Sequence, residues 1–386
     1  MTERLNQLLR DEADRLSVPP VAADAALGRG RTLRRRRSVA MAGATGVVLA
    51  VVAGTAWIAV GGDGDRAVEP AGAPSSDGLA FAIGNDVYVD GGDTRARIDD
   101  NSVKSLYYTS AGVLVRQGDN PNSDGGGPQR FSLVEPDGTV QPISVVTEGT
   151  VHATDATQPY LAYAERTGAS YEVVVWNVET DTEAARVALP ADAQSNVWDA
   201  PPVSLSGDLV YVGTTDVART VNWSTGEVAE TNAIAPGYPQ VFGGRAAEDN
   251  RVVDATTGET LLQVEGQDIY ITLSPDGRFA RVESYDGDLP TTVYDIAAKS
   301  SVALDNAPRG YGWSPDGQLF TVDGHELTTC SPTTGACETS DVDLVKEPVD
   351  SQGEMQICTP GGGCEPAGPP PDYTGELKLG GLVYES

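Results

Sequence analysis

The chain has 386 residues and a formal net charge of −30 at pH 7, with 26 Lys and Arg against 56 Asp and Glu. Nine Arg and five acidic residues precede residue 38, a net of +4, whereas residues 61–386 carry 17 basic and 51 acidic residues, a net of −34. Such an acidic part repels phosphate backbones, so we expect no nucleic-acid partner, and solubility is the simplest role of the charge. Its 326 residues suit one large all-β domain or two smaller ones.

The N-terminal segment, residues 1–37, contains one short stretch of helical periodicity. The pair Pro19–Pro20 ends the pattern, which predicts an amphipathic helix that either lies on the inner leaflet or docks a cytosolic protein such as a transcription factor. The segment has no His and no Cys, which excludes a zinc-binding cytosolic domain. The leucines at helical spacing are Leu5, Leu8, Leu9 and Leu16.

Residues 38–60 form the longest stretch without a charged residue. A helix of this length measures roughly 35 Å, which is enough to cross a bilayer core of ~30 Å. The run Arg34–Arg37 precedes it, so the positive-inside rule predicts a single-pass protein of the cell membrane with a cytoplasmic N-terminus and an extracytoplasmic remainder. A cleaved signal peptide is the alternative, but the stretch exceeds an h-region of ~7–15 residues, and Pro74 follows the cleavage-like sequence Ala71–Ala73.

Small residues recur every four positions along one face of this predicted transmembrane helix. Such a face lets two helices approach closely, so it predicts a homodimer in the membrane, although an Ala- and Gly-rich composition also explains it. The four residues are Ala42, Gly46, Ala50 and Gly54.

Residues 61–78 are rich in Gly, Pro, Ser and Asp and predict a flexible stalk. From residue 79 onward, short β-branched or aromatic runs alternate with turn residues, which is typical of strands. Seven such strands end in a polar turn residue, at separations of 32 to 45 residues, close to the ~40-residue period of propeller blades. The seven positions are Asp90, Glu135, Asn177, Asn222, Asp254, Asp295 and Ser331.

A second repeated marker is the sequence Ser-Pro-Asp-Gly, at 274–277 and again at 314–317, with a looser copy at 206–208. Pro fixes φ at the first turn position and Gly supplies φ > 0, so the sequence predicts a tight link between two strands. Trp313 precedes the second copy, and the predicted strand 318–322 follows it. Together with the 254–259 hairpin, this repeat resembles the WD-repeat-like β-propeller repeat of bacterial envelope proteins, including the Tol-system periplasmic propeller. The resemblance covers residues 79–345 and implies a fold but no particular activity.

The predicted fold class is therefore an all-β, seven-bladed propeller over residues 79–386. The first copy begins with what looks like a second strand, Leu79–Ile83, so we expect residues 376–384 to supply its missing strand and close the ring. The irregular region 345–375 leaves an eighth, degenerate blade as the alternative.

All four cysteines lie in the acidic part, where an oxidising compartment favours disulfides. The close spacings favour local pairs, Cys330 with Cys337 and Cys358 with Cys364, although three connectivities exist.

The sequence predicts no catalytic and no cofactor-binding residue. It has no G-x-S-x-G elbow, and both histidines, His152 and His325, are expected on the surface. Oxygen side chains at alternate positions, Asn120, Asn122 and Asp124, followed by Gly125, resemble a calcium loop, and a polar hairpin loop explains the same residues without a metal.

Tryptophans at strand ends are expected to fill space between blades, namely Trp176, Trp223 and Trp313, and Trp198 is a candidate for ligand stacking. We therefore expect a membrane-anchored binding or scaffold module, with a protein or glycan ligand at a mouth of the propeller channel. The alternatives are a transmembrane regulator whose propeller senses a ligand and whose N-terminal helix acts in the cytosol, and an envelope glycan hydrolase with a carboxylate pair.

Overall fold

The computed structural model describes most of the chain from residue 78 onward. The described residues are 78–99, 101–122, 127–195, 199–266, 268–284, 290–304, 310–345 and 376–382, with the backbone of two further strands at 356–358 and 364–366. The chain divides into units 1–68 and 69–386, and every described residue belongs to the second. The predicted amphipathic helix, the 38–60 stretch and its small-residue face lie outside the described residues. Within the described ranges, no helix is long and apolar enough to cross a membrane.

The described residues build seven four-stranded antiparallel sheets, which are the blades of a propeller. Blade 1 contains β1 (Ala80–Ile83), β2 (Asp86–Val89) and β3 (Thr94–Arg97), and blade 2 contains β4 (Ser102–Thr109), β5 (Gly112–Gly118), β6 (Gln129–Val134) and β7 (Val140–Thr147). Blade 3 contains β8 (His152–Thr154), β9 (Tyr160–Thr167), β10 (Ser170–Asn177) and β11 (Thr182–Ala188), and blade 4 contains β12 (Val203–Ser206), β13 (Leu209–Gly213), β14 (Ala218–Asn222) and β15 (Glu227–Thr231).

The remaining strands follow the same order along the chain. Blade 5 contains β16 (Val241–Phe242), β17 (Arg245–Glu248), β18 (Arg251–Asp254) and β19 (Thr260–Gln263), and blade 6 contains β20 (Ile269–Leu273), β21 (Phe279–Ser284), β22 (Thr292–Asp295) and β23 (Ser300–Ala303). Blade 7 contains β24 (Gly312–Trp313), β25 (Leu319–Asp323), β26 (Glu326–Cys330) and β27 (Cys337–Asp341), and it is followed by β28 (Gln356–Cys358), β29 (Cys364–Pro366) and β30 (Leu377–Leu379).

The last strand, β30, completes the first blade. It pairs antiparallel with β1, with Phe81 opposite Leu379, so blade 1 has the strand order β3-β2-β1-β30. The first strands of neighbouring blades contact one another, β30 with β4, β4 with β8 and β8 with β12, and therefore line the centre of the ring. The seven-bladed architecture is confirmed, because the described backbone of the 345–375 region forms a two-stranded hairpin, β28–β29, rather than a blade.

The ring has two faces that differ in their loops. In an antiparallel blade, the turns after the first and third strands lie at one end, and the turn after the second strand lies at the other end with the connection to the next blade. We call the first end the turn face and the second the connection face.

The repeated polar residues found in the sequence all lie on the turn face, where the third strand of each blade ends. The Asp254 carboxylate accepts hydrogen bonds from the backbone N–H groups of Thr256 and Thr257, at 3.0 and 2.8 Å. Asn177, Asn222 and Asp295 accept from the same two positions after them. This short local turn explains why the same residue types recur at each blade.

The Ser-Pro-Asp-Gly sequences form the turns between the first and second strands of blades 6 and 7. The fully buried Ser274 hydroxyl donates to Asp276 at 2.5 Å and accepts from the Phe279 N–H at 3.0 Å. Ser314 repeats the arrangement, with Gln318 N–H donating to it at 2.8 Å. In each turn the buried Ser hydroxyl therefore accepts a hydrogen bond from a backbone N–H of the same turn.

Apolar side chains from facing strands pack between neighbouring blades, with one cluster at each of the seven interfaces of the described ring. Trp313 is fully buried between blades 6 and 7, and the Trp223 ring lies 4.8 Å from that of Tyr160 between blades 3 and 4. Trp176 packs against the cluster between blades 2 and 3, so all three tryptophans at strand ends fill space between blades as predicted. The hydrophobic core is therefore divided among the interfaces.

One predicted disulfide is confirmed. Cys330 and Cys337 are bonded across the hairpin between β26 and β27. The backbone register places positions 358 and 364 opposite each other, and the second disulfide stays a prediction.

Candidate functional site: the groove between blades 5 and 6

A large concave site opens on the connection face, next to the short first strand of blade 5. That strand, β16, has only two residues, and Pro236 and Pro239 precede it. Proline cannot donate to a strand ladder, which limits the pairing of the segment before β16. Gly237 N donates to Thr214 O at 3.2 Å, next to blade 4, and Ala247 N still pairs with Gln240 O at 3.1 Å within blade 5.

The groove that results has a volume of about 750 Å³. Three segments line it: the connection from blade 4 (within 234–240), the β17–β18 hairpin (246–251), and Gly266 with residues 268–271 at the start of blade 6. All three lie at the connection face, because they are a blade-to-blade connection, a turn after a second strand, and the next connection. This volume lies within the range of about 300–1,000 Å³ that is typical of ligand sites.

One ion pair is built into the groove wall. Arg251 donates to the Glu248 carboxylate at 2.8 Å, and the other Glu248 oxygen accepts from the Ala235 N–H. The Glu248 side chain is only 9% exposed, so these contacts fix it as part of the wall. Glu248 and Arg251 therefore cancel each other's charge.

Two further carboxylates of the groove, those of Asp249 and Asp268, have no such partner. Both residues are exposed, and neither makes a hydrogen bond or ion pair within the described part of the chain. Their φ angles are 40° and 54°, a left-handed region that Asp and Asn adopt more readily than most residues. With Glu248 and Arg251 neutralised, the charged groups lining the groove sum to −2.

The remaining lining is amphipathic. Tyr238 and Tyr270 are half-buried, Pro239 is buried, and Ile269 is half-buried beside them. Tyrosine presents a large apolar ring with a polar end, which suits a surface that is covered only when a ligand binds. The groove thus combines ring faces with two carboxylates.

A second, much smaller cavity of about 70 Å³ lies at the centre of the ring. Leu106, Phe242 and Leu382 contribute apolar walls from three different blades, and in its described lining there is no Asp or Glu. A carboxylate pair for glycan hydrolysis is therefore not found among the described residues of this cavity.

His152 also lines the central cavity. It is 3% exposed, its Nε2 lies 2.7 Å from the Thr147 hydroxyl oxygen, and its ring contacts that of Phe131 edge-on at 4.9 Å. The prediction that His152 is on the surface is wrong, because it begins the innermost strand of blade 3 and neighbouring blades cover it. His325 is exposed, as predicted, in the turn between β25 and β26.

The predicted calcium loop contains a buried cation from the protein itself. Lys104 is fully buried, and its ammonium group donates to the Asn120 side-chain oxygen at 3.1 Å and to the Asn122 carbonyl. Asn120 also accepts from the Asn122 N–H at 3.0 Å, while Asp124 lies outside the described residues. In the described ranges, no three His, Cys, Asp or Glu side chains form a group that could hold a metal.

Other predicted positions can be placed only in part. The small-residue face at 42–54 and Trp198 lie outside the described residues. The groove residues Asp249, Asp268, Tyr238 and Tyr270 were missed. A signal for them exists in the Asp-Asn turn at 249–250 and in the Pro-Gly-Tyr-Pro sequence at 236–239, but neither belongs to the repeat.

The fold and the groove define a seven-bladed β-propeller with an off-centre concave site on its connection face. No protein-family model matches the chain, and no curated protein matches it. Among solved structures, it is similar to apo AztD from Citrobacter koseri (11% identity, TM-score 0.43, covering 70% of this chain and 96% of AztD).

Two further similar structures are the periplasmic gluconolactonase PpgL from Pseudomonas aeruginosa (14% identity, TM-score 0.41, 68% of this chain and 96% of PpgL) and TolB from Acinetobacter baumannii (11% identity, TM-score 0.37, 68% of this chain). The chain spans 62% of the length of TolB. These scores carry no functional argument, and the propeller assignment rests on the strand topology.

Proposed function

We propose that this protein is a membrane-anchored, extracytoplasmic binding module that holds a protein ligand in the groove between blades 5 and 6. The charge-free stretch 38–60 and the preceding arginines support the anchor and its orientation. The groove is the observation that carries the binding role.

The contrast between the two concave sites favours the groove over the ring centre. The groove encloses about 750 Å³, roughly ten times the 70 Å³ of the central cavity. It also offers two carboxylates without a partner among the described residues, whereas the described lining of the central cavity has no Asp or Glu. Binding sites combine an apolar surface with a few well-placed polar groups, and only the groove has both at sufficient size.

Selection of peptides against the full-length protein in detergent tests this proposal. A phage-displayed library of random 12-residue peptides is selected on the wild type and then measured on two matched variants. Ala235→Trp fills the groove at an exposed lining position, and Ala184→Trp makes the same change on the exposed outer strand of blade 3.

We expect the selected peptides to bind the wild type and Ala184→Trp equally and to lose at least tenfold in affinity for Ala235→Trp. Equal binding to all three proteins would place the peptide site elsewhere and contradict the proposal. Thermal unfolding of both variants checks that each retains its fold.

A further inference from the structure

We infer that the ligand of this groove is a peptide segment that places a Lys or Arg side chain against Asp249 and Asp268. This inference rests on the proposed function and adds the chemistry of the ligand. Three observations lead to it: the charge inside the groove, the tyrosines of its lining, and the net charge of residues 61–386.

The first feature is the distribution of charge inside the groove. Arg251 is paired with Glu248 at 2.8 Å, so its charge does not neutralise the neighbouring aspartates. Asp249 lies on the β17–β18 hairpin, and Asp268 lies on the connection into β20, so the two carboxylates come from separate lining segments. A cationic side chain bound between these segments would gain from both carboxylates.

The second feature is the pair of half-buried tyrosines, Tyr238 and Tyr270, in the same lining. Lys and Arg have apolar stems that pack on apolar surface while the charged head remains at a polar site. Their cationic heads are also attracted to aromatic faces. A groove that combines tyrosine rings with carboxylates therefore matches both parts of one long basic side chain.

The third feature is the field of the whole acidic part of the chain. Residues 61–386 carry a net charge of −34, which attracts cationic ligands over distances of a Debye length, about 8–10 Å at physiological salt. The same field disfavours anionic ligands. A neutral glycan would gain nothing from it, so the charge favours a basic peptide over a glycan.

Two double variants with equal charge change separate the local effect from the overall field. Asp249→Asn with Asp268→Asn removes both groove carboxylates, and Asn tolerates the positive φ angles of 40° and 54°. Glu338→Gln with Asp341→Asn removes two charges from the fully exposed strand β27. Thermal unfolding confirms that both variants fold.

The probes are the peptides selected above from the random 12-residue library. We expect the selected sequences to be enriched in Lys and Arg over the unselected library. We also expect their affinity to fall roughly threefold to tenfold on Asp249→Asn/Asp268→Asn and to stay unchanged on Glu338→Gln/Asp341→Asn. Raising the salt from 50 to 500 mM weakens wild-type binding and narrows the difference between the variants.

The outcomes distinguish this inference from the proposed function. Two results overturn the inference and leave the groove as the site. In the first, the peptides lose affinity for Ala235→Trp but show no enrichment in Lys and Arg. In the second, they lose affinity for Ala235→Trp but bind both double variants equally. Binding of neutral chitotetraose that is lost on Ala235→Trp, without selection of basic peptides, overturns the peptide ligand. Peptides that ignore Ala235→Trp overturn both statements.

Discussion

One buried hydroxyl completes the hydrogen bonding beside the ring closure, and its removal gives a quantitative test of how the blades are joined. Continuing the β1–β30 register places Ala80 opposite Gly380, and Gly380 N donates to Ala80 O at 2.8 Å. In place of the reciprocal bond, Gly380 O accepts from Trp313 N at 3.0 Å. The Ala80 N–H donates instead to the hydroxyl of Tyr108 in blade 2, at 3.0 Å.

Tyr108→Phe removes this acceptor and leaves the Ala80 N–H buried without a partner. Ala80 is fully buried and Tyr108 is 5% exposed, so bulk solvent does not reach this bond. A buried backbone donor without a partner costs about 1–3 kcal/mol. We expect the free energy of unfolding of the full-length protein to fall by that amount, measured as a lower urea midpoint with an unchanged slope.

Tyr294→Phe is the matched control. Tyr294 is half-buried, and its hydroxyl makes no hydrogen bond among the described residues, so its loss should change stability by less than about 0.5 kcal/mol. A midpoint for Tyr108→Phe equal to that of Tyr294→Phe would refute the role of the hydroxyl. Burial raises the pKa of Tyr108, so this hydroxyl stays protonated throughout the measurement at neutral pH.

Two other predictions concern the same domain. Replacing Cys330 and Cys337 by Ser should lower the free energy of unfolding by about 2–3 kcal/mol, because the disulfide closes a loop between residues seven positions apart. An equal urea midpoint for the double variant and the oxidised wild type would contradict this prediction. Burial raises the pKa of Tyr163 to about 12, so between pH 10 and 12 the unfolded chain loses a proton that the folded protein keeps. Stability should therefore fall as pH rises through this window, by at most about 1.4 kcal/mol per pH unit from this group, and Tyr163→Phe should reduce the slope measured by urea titration at each pH.

The fold was predictable from sequence because its signals are local. Asp254 binds the N–H groups two and three residues after it, and Ser274 binds groups two and five residues after it. Such contacts need the same residue types in each blade. These residue types therefore recur in the sequence at a period close to the length of a blade. All of them lie on the turn face.

The candidate site lies on the connection face, and its residues do not belong to the repeat. They could therefore not be predicted in the same way. The three segments of the site lie within residues 234–271 and come from two blades. The prolines before β16 predict a short strand. The groove, however, is also lined by Gly266 and residues 268–271 at the start of blade 6. The burial of His152 and the contact of Lys104 with Asn120 likewise depend on neighbouring blades or strands, and no local pattern encodes them.

The position of β30 in blade 1 has a consequence for biosynthesis. About 300 residues separate β1 from β30 in the chain. At synthesis rates of ~5–20 residues per second, β1 waits roughly 15–60 s for its inner neighbour. During that time the apolar residues that contact β30 are exposed, and the N–H and C=O groups on that edge of β1 have no strand to pair with. Closure is therefore a late event that follows synthesis of the last blade, and until then the nascent first blade exposes this edge.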